Sequence, residues 1–478
     1  MKKAKNIFVD PGILNLKQLS AKLKRFYNVK YITQNICRGG QSEYNYKNKK
    51  KEFSEKLLPP YPKLGNNHFI NKSYKESDYI TGKIIDDHQT LLMYDRCENY
   101  FFTSDSLKVL KIIDKIDNSI NWIKKFSPDW LIFMATPHHI DTWIFARVAE
   151  ELGVKIAYFD ESIIPWRYFV FTGLKYNRKP ILNLGDETSS EENIRTKSYF
   201  KNKKSSIDKA LPPYQIKKYK KISEKIYNLQ AEILSNWYRP DIVIYKHLCY
   251  KALRKYDVKI SERPSNYALF FLHYQPERTT LPEGFGYAQQ YRAIKLLRQC
   301  LPQHIKIYVK EHPSTYKDRC DFRERSPAYY KSIASIENTE LLNIDTDTYK
   351  LIDNAFCVAT IKGLVAAEAY IRNTPAIVFS NLWLPFCDKK LVHVFNNYES
   401  LKRFCETIVE HGESVYERSL SDYVKKLEQH TIRGDNNESE PNYNSDLFFK
   451  ERNDAITNGI YKLIKSINNG TSTFVKDN

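Results

Sequence analysis

The sequence predicts an α/β protein of two doubly wound, Rossmann-type domains. Length is the first reason, since 478 residues exceed what one ordinary core organises. The second is the pattern of short apolar runs alternating with amphipathic stretches, which signals a parallel sheet with right-handed crossovers. The third is that this alternation stops before residue 180 and restarts near residue 266. The composition, 42% hydrophobic and 14% aromatic, supplies apolar surface for two cores. We expect a first domain over 1–250, a second over 251–415, and a linker with a helical tail over 416–478.

The chain opens with a strand, "NIFVD". Leu16, Leu19, Leu23 and Phe26 then recur at helical spacing, and "VKYIT" forms the next strand. The Lys-, Asn-, Tyr- and Pro-rich stretch 41–75 reads as an exposed basic insertion. "DSLKVLKIIDKIDNSINWIKKF" is a long amphipathic helix, "PDWLIFMA" a strand, "DTWIFARVAEELG" a helix closing on Gly153, and "VKIAYFD" a strand. Residues 180–215 read as polar loop and surface helix, 216–237 as a long helix, and the stretch after it as an inter-domain connection.

The second half repeats the alternation. "NYALFFLHYQPE" is a strand with a polar end, followed by the helix "YAQQYRAIKLLRQCLP" and the strand "IKIYVKEHP". "TELLNI", "FCVATI" and "PAIVF" are further strands, separated by "DTYKLIDNA" and "GLVAAEAYIRN" as helices. The apolar face of "LFFKERNDAITNGIYKLIKSI" marks a final amphipathic helix.

No apolar run approaches the ~18 residues of a membrane span. The N-terminus reads as a strand and not a signal peptide, because Asp10, Pro11 and Gly12 interrupt it. The eight cysteines are scattered singly, without metal-ligand spacing, as expected of free thiols in a reducing cytosol. A formal charge of +19 favours an anionic partner: nucleic acid, an anionic membrane or a phosphorylated small molecule. An AT-rich genome produces the same lysine surplus.

In open α/β sheets ligands bind beyond the carboxyl ends of the strands. Three such ends in the second half carry chemistry. The first presents His273, Gln275, Glu277 and Arg278, with Pro276 stopping the ladder. At the second, Lys310 and His312 are two apart and share a strand face, while Glu311 points opposite. Pro313 keeps His312 extended. A cation beside an imidazole suits a phosphate or diphosphate, and the histidine is also able to protonate a leaving group. At the third, Thr360 is followed by Lys362 and by Gly363, which allows a tight turn into a helix carrying Glu368. The helix start offers N–H groups to phosphate, and Glu368 suits ribose hydroxyls. Each stretch has a plainer reading as an ordinary polar loop or βα turn.

Together, "HYQPERTT" (273–280), "YVKEHPS" (308–314) and "VATIKGLVAAEA" (358–369) resemble the bacterial capsule polysaccharide biosynthesis family. These are GT-B type glycosyltransferases that include the capsule Kdo transferases. "IAYFDESIIPWRYF" (156–169) looks like that family's acidic N-terminal stretch, and the resemblance covers about 128–385. One departure is Leu364, where the family has a small or hydroxylated residue. One hydroxyl contact to donor phosphate is thereby missing.

The resemblance implies a GT-B-like, metal-independent glycosyltransferase with no cofactor, the nucleotide-sugar being a substrate. His273, Gln275, Glu277, Arg278, Lys310, Thr360, Lys362, Gly363 and Glu368 would bind the donor, with His312 catalytic. Asp160 or Glu161 would deprotonate the acceptor hydroxyl or steady an oxocarbenium ion, unless they cap a helix or pair with Arg167. Arg167, His138 and His139 fall on the acceptor side, where Thr136 or Asp141 is a plausible helix cap. The D-x-D at Asp345 and Asp347 resembles a metal motif, but an N-cap reading is preferred.

The expected partners are a nucleotide-sugar and a glycan or lipid-linked glycan, with no nucleic acid. The expected location is the cytoplasm, with peripheral contact at the inner face of an anionic membrane. The competing readings are transfer of glycerol phosphate from CDP-glycerol and a non-catalytic protein that binds nucleic acid or membrane.

Overall fold

A computed structural model describes residues 5–10, 16–26, 28–32, 57–58, 74–97, 104–164, 166–175, 178–185, 195–200, 240–258, 266–275, 277–312, 315, 325–344, 346, 349–380, 384–411, 420–433, 445–469 and 473–474. The chain forms two compact units. The first comprises Met1–Glu187, Leu427–Glu438 and Phe448–Asn478, and the second Thr188–Lys426 and Ser439–Leu447. Most of the expected insertion at 41–75, all of the helix expected over 216–237, and the linker after Arg433 lie outside the described residues.

In the first unit, β1 (Ile7–Asp10), β2 (Val29–Ile32), β3 (Leu57–Leu58), β4 (Trp130–Phe133) and β5 (Lys155–Glu161) pair in parallel, in the order β3-β2-β1-β4-β5. The chain direction across the sheet reverses between β1 and β4. Both of those strands are buried along their whole length. This explains their unbroken apolar runs, since helices cover both faces of a parallel sheet.

The helices are α1 (Leu16–Lys22), α2 (Tyr74–Ile85), α3 (His88–Cys97), α4 (Asp105–Phe126) and α5 (Ile140–Glu151). At the start of α4 the Ser104 hydroxyl accepts from Leu107 N–H, and at its end Ser127 takes φ 47°. The close of α5 on Gly153 follows expectation. Gly153 has φ 78°, its N–H bonds the Glu150 carbonyl, and Val154 N–H bonds that of Ala149.

The sequence reading did not anticipate the other edge of this sheet. There β6 (Arg167–Thr172) runs antiparallel to β5 and β7 (Lys179–Leu182) antiparallel to β6. The final helix is more than a tail: Ala455, Ile456, Ile460, Leu463, Ile464 and Ile467 are buried in the first unit's core. Gly459 makes this approach possible, because a Cβ there would lie 2.3 Å from the Phe159 ring.

The second unit carries an all-parallel sheet: β8 (Asp257–Val258), β9 (Tyr267–Phe271), β10 (Lys306–Lys310), β11 (Thr339–Leu342), β12 (Val358–Thr360), β13 (Ala376–Val378) and β14 (Val392–Val394). Their order is β14-β13-β12-β9-β10-β11-β8. The switch point therefore lies between β9 and β12. The helices from residue 240 onward are α6 (Pro240–Tyr256), α7 (Gln290–Cys300), α8 (Pro327–Ala334), α9 (Tyr349–Ile352), α10 (Leu364–Ile371), α11 (Tyr398–His411), α12 (Leu420–His430) and α13 (Ser445–Asn469).

The stretch expected as a connection is largely α6, with Cys249 and Leu253 buried. Pro240 is its first residue, where a proline suits a helix. Two α/β units in one chain, each built on a doubly wound sheet, match the expected pair of Rossmann-type domains. Cys249, Cys300, Cys357, Cys387 and Cys405 are free thiols. Among the described residues no helix is long and apolar enough to cross a membrane.

Candidate functional site

At the switch point of the second unit, Phe271 of β9 pairs with Thr360 of β12. His273, just past β9, spans the gap between these two strand ends. Its Nε2 accepts the Lys362 backbone N–H at 3.1 Å and lies 3.1 Å from Thr360 Oγ1. A backbone N–H can only donate, so this network assigns the ring proton to Nδ1. That proton faces Glu277 Oε2 at 3.1 Å, and Thr279 Oγ1 donates to the same oxygen at 2.6 Å. Burial pushes the Glu277 carboxyl up. The hydrogen bonds from His273 and Thr279 and the nearby His312 outweigh it and hold the group below the usual carboxylate range.

The next turn of chain is fixed internally. Gln275 donates to Ala288 O at 3.3 Å and accepts from Thr280 Oγ1 at 2.9 Å. Lys362 Nζ donates to Glu283 Oε2 at 2.6 Å, both side chains being almost fully buried. Arg278 Nε lies 3.6 Å from the other Glu283 oxygen. The expectation that Lys362 points its charge at a ligand gives way to this buried pair. A buried ammonium needs a counter-charge, and Glu283, unnoticed in the sequence, supplies it.

At the end of β10, alternation alone is misleading. Lys310 and His312 do not lie together: the Lys310 ammonium turns toward the loop after β11, donating to the carbonyls of Asn343 (3.0 Å), Ile344 and Thr346 (3.1 Å). His312 lies on the β9 side, its ring 5.1 Å from that of Tyr274. The strand stops at Lys310, so the two-residue rule no longer governs His312. Burial lowers the His312 pKa, with the charge of Glu277 opposing.

Glu311 lies between them, fully buried. It accepts from Arg325 Nε at 2.8 Å, Arg325 Nη2 at 3.1 Å, Tyr330 Oη at 2.7 Å and His312 N–H at 2.8 Å. Burial would raise its pKa, but Arg325 and these donors hold it low. Pro276, Pro313, Asp345 and Asp347 lie outside the described residues. Among the described residues no cluster of three or more His, Cys, Asp or Glu side chains is placed to hold a metal ion.

Gly363 is the N-cap of α10 with an ordinary φ of −77°. The tight turn expected of it is therefore not why glycine stands here. Close approach is the reason, since a Cβ would lie 2.8 Å from Thr360 Oγ1. At the start of α10 the Ala366 N–H bonds the Gly363 carbonyl at 3.1 Å, the N–H groups ahead of it lie before the first intrahelical bond, and Leu364 is exposed. Glu368 is half-buried in the second turn. The switch point thus brings together His273, Glu277, Thr360, Lys362 and Gly363, with Gln275 bracing the loop and His312 close to Glu277.

In the first unit, Asp160 near the end of β5 is buried against Arg178, Oδ2 to Nη2 at 2.5 Å. The alternative of a pair with Arg167 is replaced by this one. Arg167 is buried and donates to the carbonyls of Glu428 (3.2 Å) and Thr431 (3.3 Å), closing the end of α12. Glu161 is the last residue of β5 and half-buried. His138 Nδ1 donates to Thr136 O at 2.8 Å, and its ring lies 4.6 Å from that of exposed His139. His139 is the N-cap of α5 without a side-chain cap bond, while Asp141 pairs with Lys115 at 3.1 Å.

No family model matches the chain, and no curated protein matches it. Among solved structures, it is similar to the β-Kdo 2,7 transferase of KpsC from Thermosulfurimonas dismutans. That likeness has 12% identity over 73% of this chain and 96% of the other, with a TM-score of 0.31. The β-Kdo 2,4 transferase of the same KpsC gives 11% identity over 67% and 86%, with a TM-score of 0.29. UDP-GlcNAc 2-epimerase from Methanocaldococcus jannaschii gives 14% over 88% and 97%, with a TM-score of 0.22.

Proposed function

We propose that this protein is a glycosyltransferase. It moves a sugar from a nucleotide-activated donor, CMP-Kdo-like or another CMP- or UDP-sugar, onto a capsule or other surface polysaccharide or its lipid-linked precursor. The observation that carries this reading is the His273 bridge, which joins the β9 loop to the start of α10 across the switch point. There the N–H groups opening α10 suit a diphosphate or phosphate leaving group, and the His312 ring N–H suits a hydrogen-bond donor to it. Lys310 and Lys362 then act on the protein and not on the ligand, whereas Arg278, beside Glu283 at 3.6 Å, keeps a partly exposed side chain.

Of the two acceptor-side carboxylates we assign the base to Glu161, because Asp160 is buried on Arg178. We further propose that the protein docks at an anionic membrane face through α6. Exposed Ile244 and Leu248 share a face of α6 with Lys251 and Lys255, and each lysine adds about 1 kcal/mol near such a surface.

Incubation with CMP-Kdo, UDP-sugars and CDP-glycerol, with glycan acceptors, tests the proposal. Acceptor-dependent release of CMP or UDP with a glycosylated product is expected, and Glu161→Gln should abolish it while still binding nucleotide. Transfer from CDP-glycerol alone would move the protein to the glycerophosphotransferases.

A further inference from the structure

Arg325 was not singled out in the sequence, yet it joins the two histidine-bearing strand ends. Its guanidinium grips Glu311 at the end of β10 through Nε and Nη2, at 2.8 and 3.1 Å. The same Nη2 donates to the His273 carbonyl, past the end of β9, at 2.6 Å. Gln290 clamps the backbone of His273 on both sides from α7, accepting from His273 N–H at 2.7 Å and donating to His273 O at 3.0 Å. Glu311 in turn accepts His312 N–H at 2.8 Å. Arg325 is itself held from outside the site, its own carbonyl accepting from Tyr245 Oη of α6 at 2.9 Å, with its guanidinium over the Tyr329 ring at 4.8 Å.

We propose that Arg325 is a positioning residue: braced by Glu311, it fixes the backbone of His273 and, through Glu311, that of His312, so that His273 keeps Nδ1–H on Glu277 and Nε2 on the Lys362 N–H. The arrangement needs a planar fork with donors in two directions. Arginine has one and lysine does not. The relevance of this device to catalysis rests on the proposed function; the geometry of His273 does not.

The test is the ring ¹⁵N spectrum of His273 in the full-length protein, with CMP and UDP titrations alongside. In the wild type, one protonated and one unprotonated nitrogen are expected, with the proton on Nδ1; a proton on Nε2 overturns the proposal at once. In Arg325→Lys the two resonances should move toward a common averaged value, and affinity for whichever nucleotide the wild type binds should fall about tenfold, the worth of one hydrogen bond. Should that variant not fold, Glu311→Gln, which keeps size and one acceptor oxygen, should show a smaller shift in the same sense. A folded variant with the wild-type tautomer pattern refutes the positioning role. If the tautomer responds but the wild type binds neither CMP nor UDP, the positioning role stands and the proposed function fails.

Discussion

Removing the Lys362 charge tests whether that lysine serves the fold or a ligand. In Lys362→Met, Glu283 stays buried but loses its partner at 2.6 Å. Removing one member of a buried pair costs about 3–5 kcal/mol. Arg278, 3.6 Å from the other oxygen, keeps part of the compensation, so the lower end, about 3 kcal/mol, is expected. Arg278→Met removes a longer contact from a side chain that is 21% exposed, and should cost about 1 kcal/mol or less. Urea unfolding of the second unit reads both. With a slope of about 1–3 kcal/mol per molar, Lys362→Met should lower the midpoint by about 1 M or more. A Lys362→Met protein within about 1 kcal/mol of wild type, or less stable Arg278→Met than Lys362→Met, would refute the reasoning.

Gly363→Ala should destabilise by about 1–3 kcal/mol through overpacking on Thr360. Adding Thr360→Ala should restore part of that loss, so additive unfolding energies in the double variant would refute the contact. Lys310→Met strips the donor from three carbonyls after β11. A loss of about 1.5–3 kcal/mol in denaturant unfolding is expected, with nucleotide affinity changed only if that loop moves. Burial lowers the His393 pKa to about 4, its ring stacked on Phe404. The unfolded chain therefore takes up a proton near pH 6.5 that the folded chain refuses. This contribution to stability is present above about pH 6.5 and is lost as pH falls toward about 4. His393→Phe should flatten the stability profile across that window, and an unchanged slope would contradict the assignment.

The alternating core was legible because parallel strands buried on both faces leave continuous apolar runs, and Gly153 announced the end of α5 in the conformation expected of it. The antiparallel strands β6 and β7 were not, because pairing partners leave no local mark. Nor was the burial of α13, whose amphipathic face shows that it packs and not where. The stretch after residue 237 reads as a connection in the sequence and is largely α6 in the structure, with Pro240 its first residue. At the site, the polar strand ends were legible from where the apolar runs stop. What those residues bond was not. Lys310 and Lys362 read as free cations, and both are spent on partners far along the chain, Glu283 being 79 positions from Lys362. Arg325 has no local signature at all, since its roles are set by β9 and β10 lying side by side.

The central claim is that the switch point between β9 and β12 binds a nucleotide-sugar. Calorimetric titration of CMP, CDP and UDP into the wild type and into His312→Ala tests it most directly. The account predicts saturable binding of at least one nucleotide, weakened about tenfold or more in the variant, the value of a hydrogen bond to a charged group. Absence of binding by all three, or equal affinity in the two proteins, would contradict it.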